Sequence, residues 1–244
     1  MEKLKIYNGF GITPSKNYTA AGYDFHVPYI TDESYFDIAF NAFMKSYKKT
    51  EEELNEIIDT LGLYIQSTFD TYDFNKLNAI NILHLYLALT PPDDVYDNEE
   101  PEQQSLSDSI DEFVSYRLIF DDNDVPGIVV FPGDYLLFNS GIKIGLPTDT
   151  AGIFFNKSGK GNKGFDTRAC VCDEDYSGYV HLSAAFDKEV YFGENVYCGD
   201  KLMQMVVLPV VRTTIEEMSS DDYETMMKDS LRGTDGFGSS DVKH

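Results

Sequence analysis

Positive charge is what this sequence has least of. Across 244 residues, 19 Lys and Arg face 42 Asp and Glu, a formal net charge of −23. A chain this acidic lacks the cationic face that displaces counterions from a nucleic-acid backbone or holds a protein on anionic lipid. Neither nucleic acid nor membrane is therefore an expected partner. Long apolar runs are also missing: none approaches the roughly 18 residues of a membrane span. The opening stretch MEKLKIYNGF has no apolar core of a secretory leader, so a cytoplasmic location is expected. Cysteine is scarce and odd in number. Cys170 and Cys172 form one C-x-C pair and Cys198 stands apart, which fits neither a disulfide framework nor a four-ligand zinc site. Buried, inert thiols in a reducing compartment are expected. No internal repeat is visible.

What is present is enough for a core: 42% hydrophobic residues, including 17 Phe and 17 Tyr. The charge is uneven. Residues 31–125 hold 22 acidic and 5 basic side chains, a net −17, which leaves −6 for the other 149 residues. The same segment reads as helical over 31–118. Phe36, Phe40, Phe43 and Tyr47 mark a first helix. Thr50 and Glu53 make a capping box ahead of Leu54, Ile57, Ile58 and Leu61, spaced along one face of a second. A third, from about Phe74 to Leu89, is apolar on more than one face and is expected to be the most buried, with Pro91 and Pro92 stopping it. Ser109 and Glu112 are expected to open a fourth. A small helical unit with its own core is the expectation. From Val125 the texture changes to short runs rich in Val, Ile, Phe and Tyr, with Gly, Pro, Asn or Asp at the joints, and the first 30 residues share it. That pattern predicts a mainly β domain, an antiparallel sandwich or barrel, with the helices inserted into it.

Three stretches could carry chemistry. In NKSGKGNKG, Lys157, Lys160 and Lys163 alternate with Ser158 and glycines; close backbone approach, a hydroxyl and point charges suit phosphate oxygens, and a solvated Lys/Gly turn suits the residues equally. The spacing is not that of a Walker loop. In CDEDYSG, Asp173, Glu174 and Asp175 precede Tyr176, a crowding that suits a metal, a general base or an exposed acidic turn. In the tail RGTDGFGSS, glycines around Phe237 would let one ring settle on a planar ligand beside Arg232.

Taken in order, five segments resemble the five motifs of the trimeric deoxyuridine triphosphatases (dUTPases): AGYDF at 21–25, NKSGKG at 156–161, VCDEDYSG at 171–178, GDKLMQ at 199–204 and RGTDGFGSS at 232–240. The resemblance covers residues 1–30 and about 125–244. It implies a dUTPase-like β-sandwich or jelly roll, with a β domain over 1–30 and 125–231, a helical insertion over 31–124 and a C-terminal arm over 232–244. It implies hydrolysis of dUTP to dUMP and pyrophosphate, which keeps uracil out of DNA and supplies dUMP for dTMP synthesis. Asp173 matches the general base, and Tyr176 the ring that packs on deoxyribose and excludes a 2′-hydroxyl. Lys157, Ser158, Gly159 and Gln204 match phosphate contacts. Asp24 matches the carboxylate that meets Mg²⁺ through water, Arg232 the grip on terminal phosphates, and Phe237, with Gly238 and Ser239, the closing stack on uracil. Backbone groups around Thr167, Arg168 and Tyr179 are expected to read the base. The family also implies a homotrimer whose three chains share each site through arm exchange.

Three departures from the family pattern stand out. Lys157 and Lys201 occupy positions where the family usually has Arg, keeping the charge and losing the bidentate fork. Cys170 and Cys172 occupy the stretch before the third-motif Asp. The helical insertion lies outside the pattern. It reads as an elaborated loop or as a module for a basic protein partner. A bacteriophage source, with the host cytoplasm as location, is a further expectation. The alternatives are a dCTP deaminase of the same fold and a nucleotide sensor acting through the insertion.

Overall fold

The structure is a computed structural model, and it describes residues 3–70, 72–89, 105–188 and 193–228. Twelve strands are described: β1 (Lys5–Asn8), β2 (Tyr23–His26), β3 (Leu118–Phe120), β4 (Pro126–Val130), β5 (Tyr135–Asn139), β6 (Ile142–Gly145), β7 (Thr150–Asn156), β8 (Phe165–Thr167), β9 (Val171–Cys172), β10 (His181–Phe186), β11 (Glu194–Tyr197) and β12 (Lys201–Pro209). They form four antiparallel sheets, ordered β1-β6, β5-β10-β8, β11-β4-β3 and β2-β12-β7-β9. Alternation along the strands sets the faces. In β5, Leu136 and Phe138 are buried; in β6, Ile142 and Ile144 are buried while Lys143 projects from the other face.

The helices sit between β2 and β3: α1 (Phe36–Ser46), α2 (Glu51–Thr68), α3 (Lys76–Leu89) and α4 (Leu106–Tyr116). Thr50 and Glu53 close the expected capping box at the head of α2, with the Thr50 N–H donating to Glu53 Oε2 at 2.6 Å. At α4 the cap is Ser105, whose hydroxyl accepts from the Asp108 N–H at 3.2 Å. The helix thus starts before the expected Ser109, because an equivalent Ser-x-x-Asp pattern lies one turn earlier. It turns Ile110, Phe113 and Val114 inward.

α3 is buried without a break from Ala79 to Ala88, and it packs on α1, α2, β4 and β5. The expected separate helical core is therefore not what forms: helices and strands fill one continuous core. Three contacts fasten the two. The Asn81 side chain accepts from the Ile30 N–H at 2.9 Å and donates to the Ile30 carbonyl at 3.0 Å. The Tyr47 hydroxyl donates to the Leu137 carbonyl at 2.9 Å. His84 stacks on Phe43, centroids 5.2 Å apart, and meets the edge of Phe138. Burial holds the His84 imidazole neutral, its pKa pushed down to about 3.

Of the cysteines, Cys172 and Cys198 are buried as expected, whereas Cys170 is exposed. Among the described residues, no helix is long and apolar enough to cross a membrane. Residues 211–228 are the described part of a second compact unit. In it, a helix over Ser220–Met227 is capped by Ser219, and none of its residues is buried.

Candidate active site

The first cluster gathers at the end of β7. Register pairs Gln204 of β12 with Asp24 of β2 on one side and with Phe155 of β7 on the other. The first, second and fourth motifs therefore meet, although Asp24 and Lys157 lie 133 residues apart. The Asp24 carboxylate receives Lys157 Nζ at 3.0 and 3.1 Å and Lys201 Nζ at 3.0 Å. Burial by itself would raise the Asp24 pKa; the hydrogen bonds and charges of Lys201 and Lys157 outweigh it, so the carboxyl stays below its usual range. A register shift between Lys201 and Met203 matters here. Without it, Lys201 would share the core face of Met203 and Met205; the bulge turns the side chain outward to Asp24.

NKSGKG forms more than a turn. Residues Ser158–Lys163 make a short helix, α5, with Lys157 at its head and no side-chain cap, and Gly164 ends it at φ 106°, a left-handed conformation suited to glycine. Lys160 pairs with Asp200 at 2.8 Å, and Lys163 pairs with Glu194. Gln204 Nε2 donates to the Asn156 carbonyl at 3.3 Å.

The second cluster is a pocket of about 190 Å³ within the hairpin of β8, β9 and β10, lined by Phe154, Ala169, Cys172, Asp173, Tyr176 and His181, among others. Asp173–Asp175 lie in the turn that follows β9. Among the described residues no three His, Cys, Asp or Glu groups gather as a metal would need. Asp173 is exposed at the pocket. The Tyr176 ring folds over the turn, its hydroxyl donating to the Tyr179 carbonyl at 2.7 Å. Gly178 makes this possible, since a Cβ there would lie 2.5 Å from the Tyr176 oxygen. Burial raises the Tyr176 pKa, keeping the phenol protonated.

Three of the backbone groups in the stretch expected to read a base are already engaged. The Thr167 N–H donates to Asn156 Oδ1 at 2.7 Å and the Arg168 N–H to the Ser183 carbonyl at 2.9 Å. The Tyr179 carbonyl accepts from Tyr176 and lies 3.0 Å from His181 Nδ1. The Tyr179 ring packs against Phe10 and under Lys143, away from the pocket lining. His181 is the residue that sequence reasoning missed. Val180 exchanges hydrogen bonds with Ser140 and Ile142 on the β5–β6 side. Alternation therefore turns the His181 N–H and C=O the other way, beyond the last rung to β8, into the pocket. Because a carbonyl only accepts, His181 carries its proton on Nδ1, and Nε2 is an acceptor; burial lowers its pKa and keeps it neutral. Asn156 was also missed: its side chain ties the second motif to Thr167 of β8. The signal was available, since Asn156 opens NKSGKG.

The two clusters stand apart. β9 pairs with β7 through Cys172 and Gly152, so Asp173 follows at the end of β7 opposite Lys157. At about 3.3 Å per residue the separation within one chain is roughly 20 Å. Arg232, Phe237, Gly238 and Ser239 of the fifth motif lie outside the described residues.

An antiparallel β fold that sets a lysine-clasped carboxylate at one end of β7 and a tyrosine-covered pocket of about 190 Å³ at the other defines a small-ligand site on a β scaffold. The dUTPase family model matches residues 120–241, half of the chain. The deoxyuridine 5′-triphosphate nucleotidohydrolase of vaccinia virus (strain Copenhagen) is 30% identical over 112 residues, covering 46% of this chain and 71% of that protein. The enzyme of the same name from Clostridium tetani is 32% identical over 115 residues, covering 46% and 73%. Among solved structures, the Staphylococcus bacteriophage 80alpha dUTPase aligns over 89% of this chain and 97% of its own, with a TM-score of 0.43 and 11% identity. The chain belongs to the dUTPase family. The matched region begins after the helices, which separate the first motif from the other four in sequence while the fold reunites them at Asp24.

Proposed function

We propose that the protein hydrolyses dUTP to dUMP and pyrophosphate, at active sites assembled between copies of the chain in a homotrimer. The observation that carries the reading is the division along β7, with Lys157, Lys201 and Gln204 at one end and the hairpin pocket with Asp173 at the other. Phosphoryl transfer needs the phosphates and the attacking water within a few ångströms of each other. One chain alone keeps the two halves too far apart. A neighbour that presents its lysine cluster to this hairpin completes the site.

In this reading the uracil enters the hairpin pocket, where the N–H and C=O of His181 complement its O4 and N3–H. Tyr176, seated on Gly178, covers the deoxyribose and leaves no room for a 2′-hydroxyl. Asp173 takes a proton from the water that attacks the α-phosphorus. The new O–P bond forms as the bond to the bridging oxygen breaks, and pyrophosphate leaves. Lys157, Lys201, Ser158, Gly159 and Gln204 receive the phosphate oxygens. For this, the two lysines exchange the Asp24 carboxylate for phosphate.

Asp24 already carries two ammonium groups, and among the described residues no protein-held metal cluster forms. That donor set does not fit a resident ion. It fits a contact through water to Mg²⁺ that arrives on the triphosphate. Mg²⁺ on the nucleotide supplies charge neutralisation at the phosphate oxygens.

The remaining assignments belong to the same proposal. Arg232 grips the terminal phosphates and Phe237, with Gly238 and Ser239, closes over the base. Residues 1–30 and 125–231 serve as the catalytic β domain, 31–124 as the insertion and 232–244 as the arm, and the protein works in the cytoplasm. A second reading, in which the insertion also meets a basic protein partner, is favoured by the exposed α2 face of Glu51, Glu52, Glu56 and Asp59. A nucleotide panel followed by phosphorus NMR tests the activity. Pyrophosphate and dUMP from dUTP are expected; ammonia release from dCTP would instead identify a deaminase and overturn the proposal.

A further inference from the structure

A second cleft, of about 620 Å³, lies between α1, β6 and the turn that carries Tyr176. Its volume falls in the range of about 300–1,000 Å³ that holds small organic ligands. No carboxylate lines it, although Asp and Glu supply 42 of the 244 residues. Two ammonium groups face it instead, those of Lys45 on α1 and Lys143 on β6. At the catalytic cluster each of Lys157, Lys160, Lys163 and Lys201 is clasped by a carboxylate. Lys45 and Lys143 form no ion pair among the described residues. Lys143 rests instead on the Tyr179 ring, its Nζ 4.8 Å from the centroid.

Both positions follow from local structure. Ile142 and Ile144 of β6 are buried, so alternation sends Lys143 to the opposite face. On α1, Ala42 and Phe43 are buried, and Lys45 at the last turn stays exposed. Around the two cations, Asn41 and Ser177 offer further polar groups, and Ala42 offers an apolar floor. In a protein of net charge −23, a carboxylate-free cleft with two unpaired cations is arranged for an anion.

We propose that this cleft binds a small phosphorylated ligand of mononucleotide size, its phosphate between Lys45 and Lys143 and its remaining surface against the 176–179 turn. The insertion would then supply half of a regulatory site. A ligand touching Ser177 and Gly178 bears on the seat of Tyr176, so occupancy would change KM for dUTP. That consequence rests on the proposed function; the binding site itself does not.

The probe is AMP, whose purine differs from the base proposed for the hairpin pocket, added to the full-length protein. Binding is followed by calorimetry and by acetylation of lysines read by mass spectrometry. AMP is expected to slow acetylation of Lys45 and Lys143 together while leaving Lys201 unchanged. The double variant Lys45→Ala/Lys143→Ala should lose at least about tenfold in AMP affinity, the loss of two charge-assisted contacts. It should hydrolyse dUTP within about twofold of the parent when AMP is absent, because neither lysine belongs to the catalytic cluster. The proposal is overturned if AMP protects only Lys157 and Lys201, if the double variant binds AMP as the parent does, or if no binding is found up to about 10 mM. A protein that binds AMP here without hydrolysing dUTP would sink the proposed activity and leave this site standing.

Discussion

If Asp173 and the Lys157–Gln204 cluster act from different chains, two inactive variants should rescue each other. Asp173→Asn removes the proposed base, and the double variant Lys157→Ala/Gln204→Ala removes phosphate contacts at the other end of β7. Each homotrimer should be nearly inactive, since losing a general base costs about 10²–10⁴ in rate. Mixed trimers behave differently. Within one chain the two positions are roughly 20 Å apart by strand rise, so each site draws Asp173 from one copy and the lysine cluster from another. After equal mixing through unfolding and refolding, a site is intact only when both donors are the right variant. By cyclic symmetry that holds for roughly a quarter of sites, so roughly a quarter of the parental rate should return. Pyrophosphate release from the refolded mixture measures it directly. A mixture that assembles as trimers yet stays as inactive as its components would refute the shared site, because a site built within one chain always carries one of the two lesions.

Other outcomes are open to measurement. His84 is held neutral in the fold with a pKa of about 3 against 6.5 unfolded. The unfolded chain therefore binds a proton that the folded chain refuses, and stability present above pH 6.5 falls as pH drops from there toward 3, by about 2 kcal/mol between pH 8 and pH 5. Urea unfolding at both pH values should show this loss, and His84→Leu should remove most of it; an unchanged pH dependence would contradict the assignment. Asp24→Asn should release Lys157 and Lys201 and strengthen binding of metal-free pyrophosphate on the order of tenfold, read by calorimetry; weaker binding would mean that Asp24 does not compete with phosphate. Gly178→Ala puts a Cβ 2.5 Å from the Tyr176 oxygen. The ring must leave its seat, so the preference for dUTP over UTP in kcat/KM should fall by about tenfold or more, and an unchanged ratio would count against Tyr176 as the sugar selector.

The elements legible in the sequence are those whose signal is local. The Thr50–Glu53 box opens α2 as expected because both partners lie within one turn. The apolar run in α3 correctly marked it as the most buried helix. The Ser109 cap failed because two Ser-x-x-acid patterns lie a turn apart, and packing of Ile110, Phe113 and Val114 favours the longer helix. Of the groups around the expected base readers, the Thr167 and Arg168 N–H and the Tyr179 carbonyl are taken by Asn156, Ser183 and Tyr176. Spacing in the sequence carries no record of that.

The sequence by itself determined the five motifs, the β texture around them and the acidic helical segment, since residue type and short-range periodicity encode each. Tertiary structure decided the rest. It brought Lys201 to Asp24 across 177 residues and turned it there with a bulge. It merged the helices into the β core through Asn81, Tyr47 and His84. It also left Lys45 and Lys143 facing one carboxylate-free cleft. The net charge of −23 was visible from the start. Which cations remain unpaired depends on strand register and helix docking, and these are fixed only when the whole core closes.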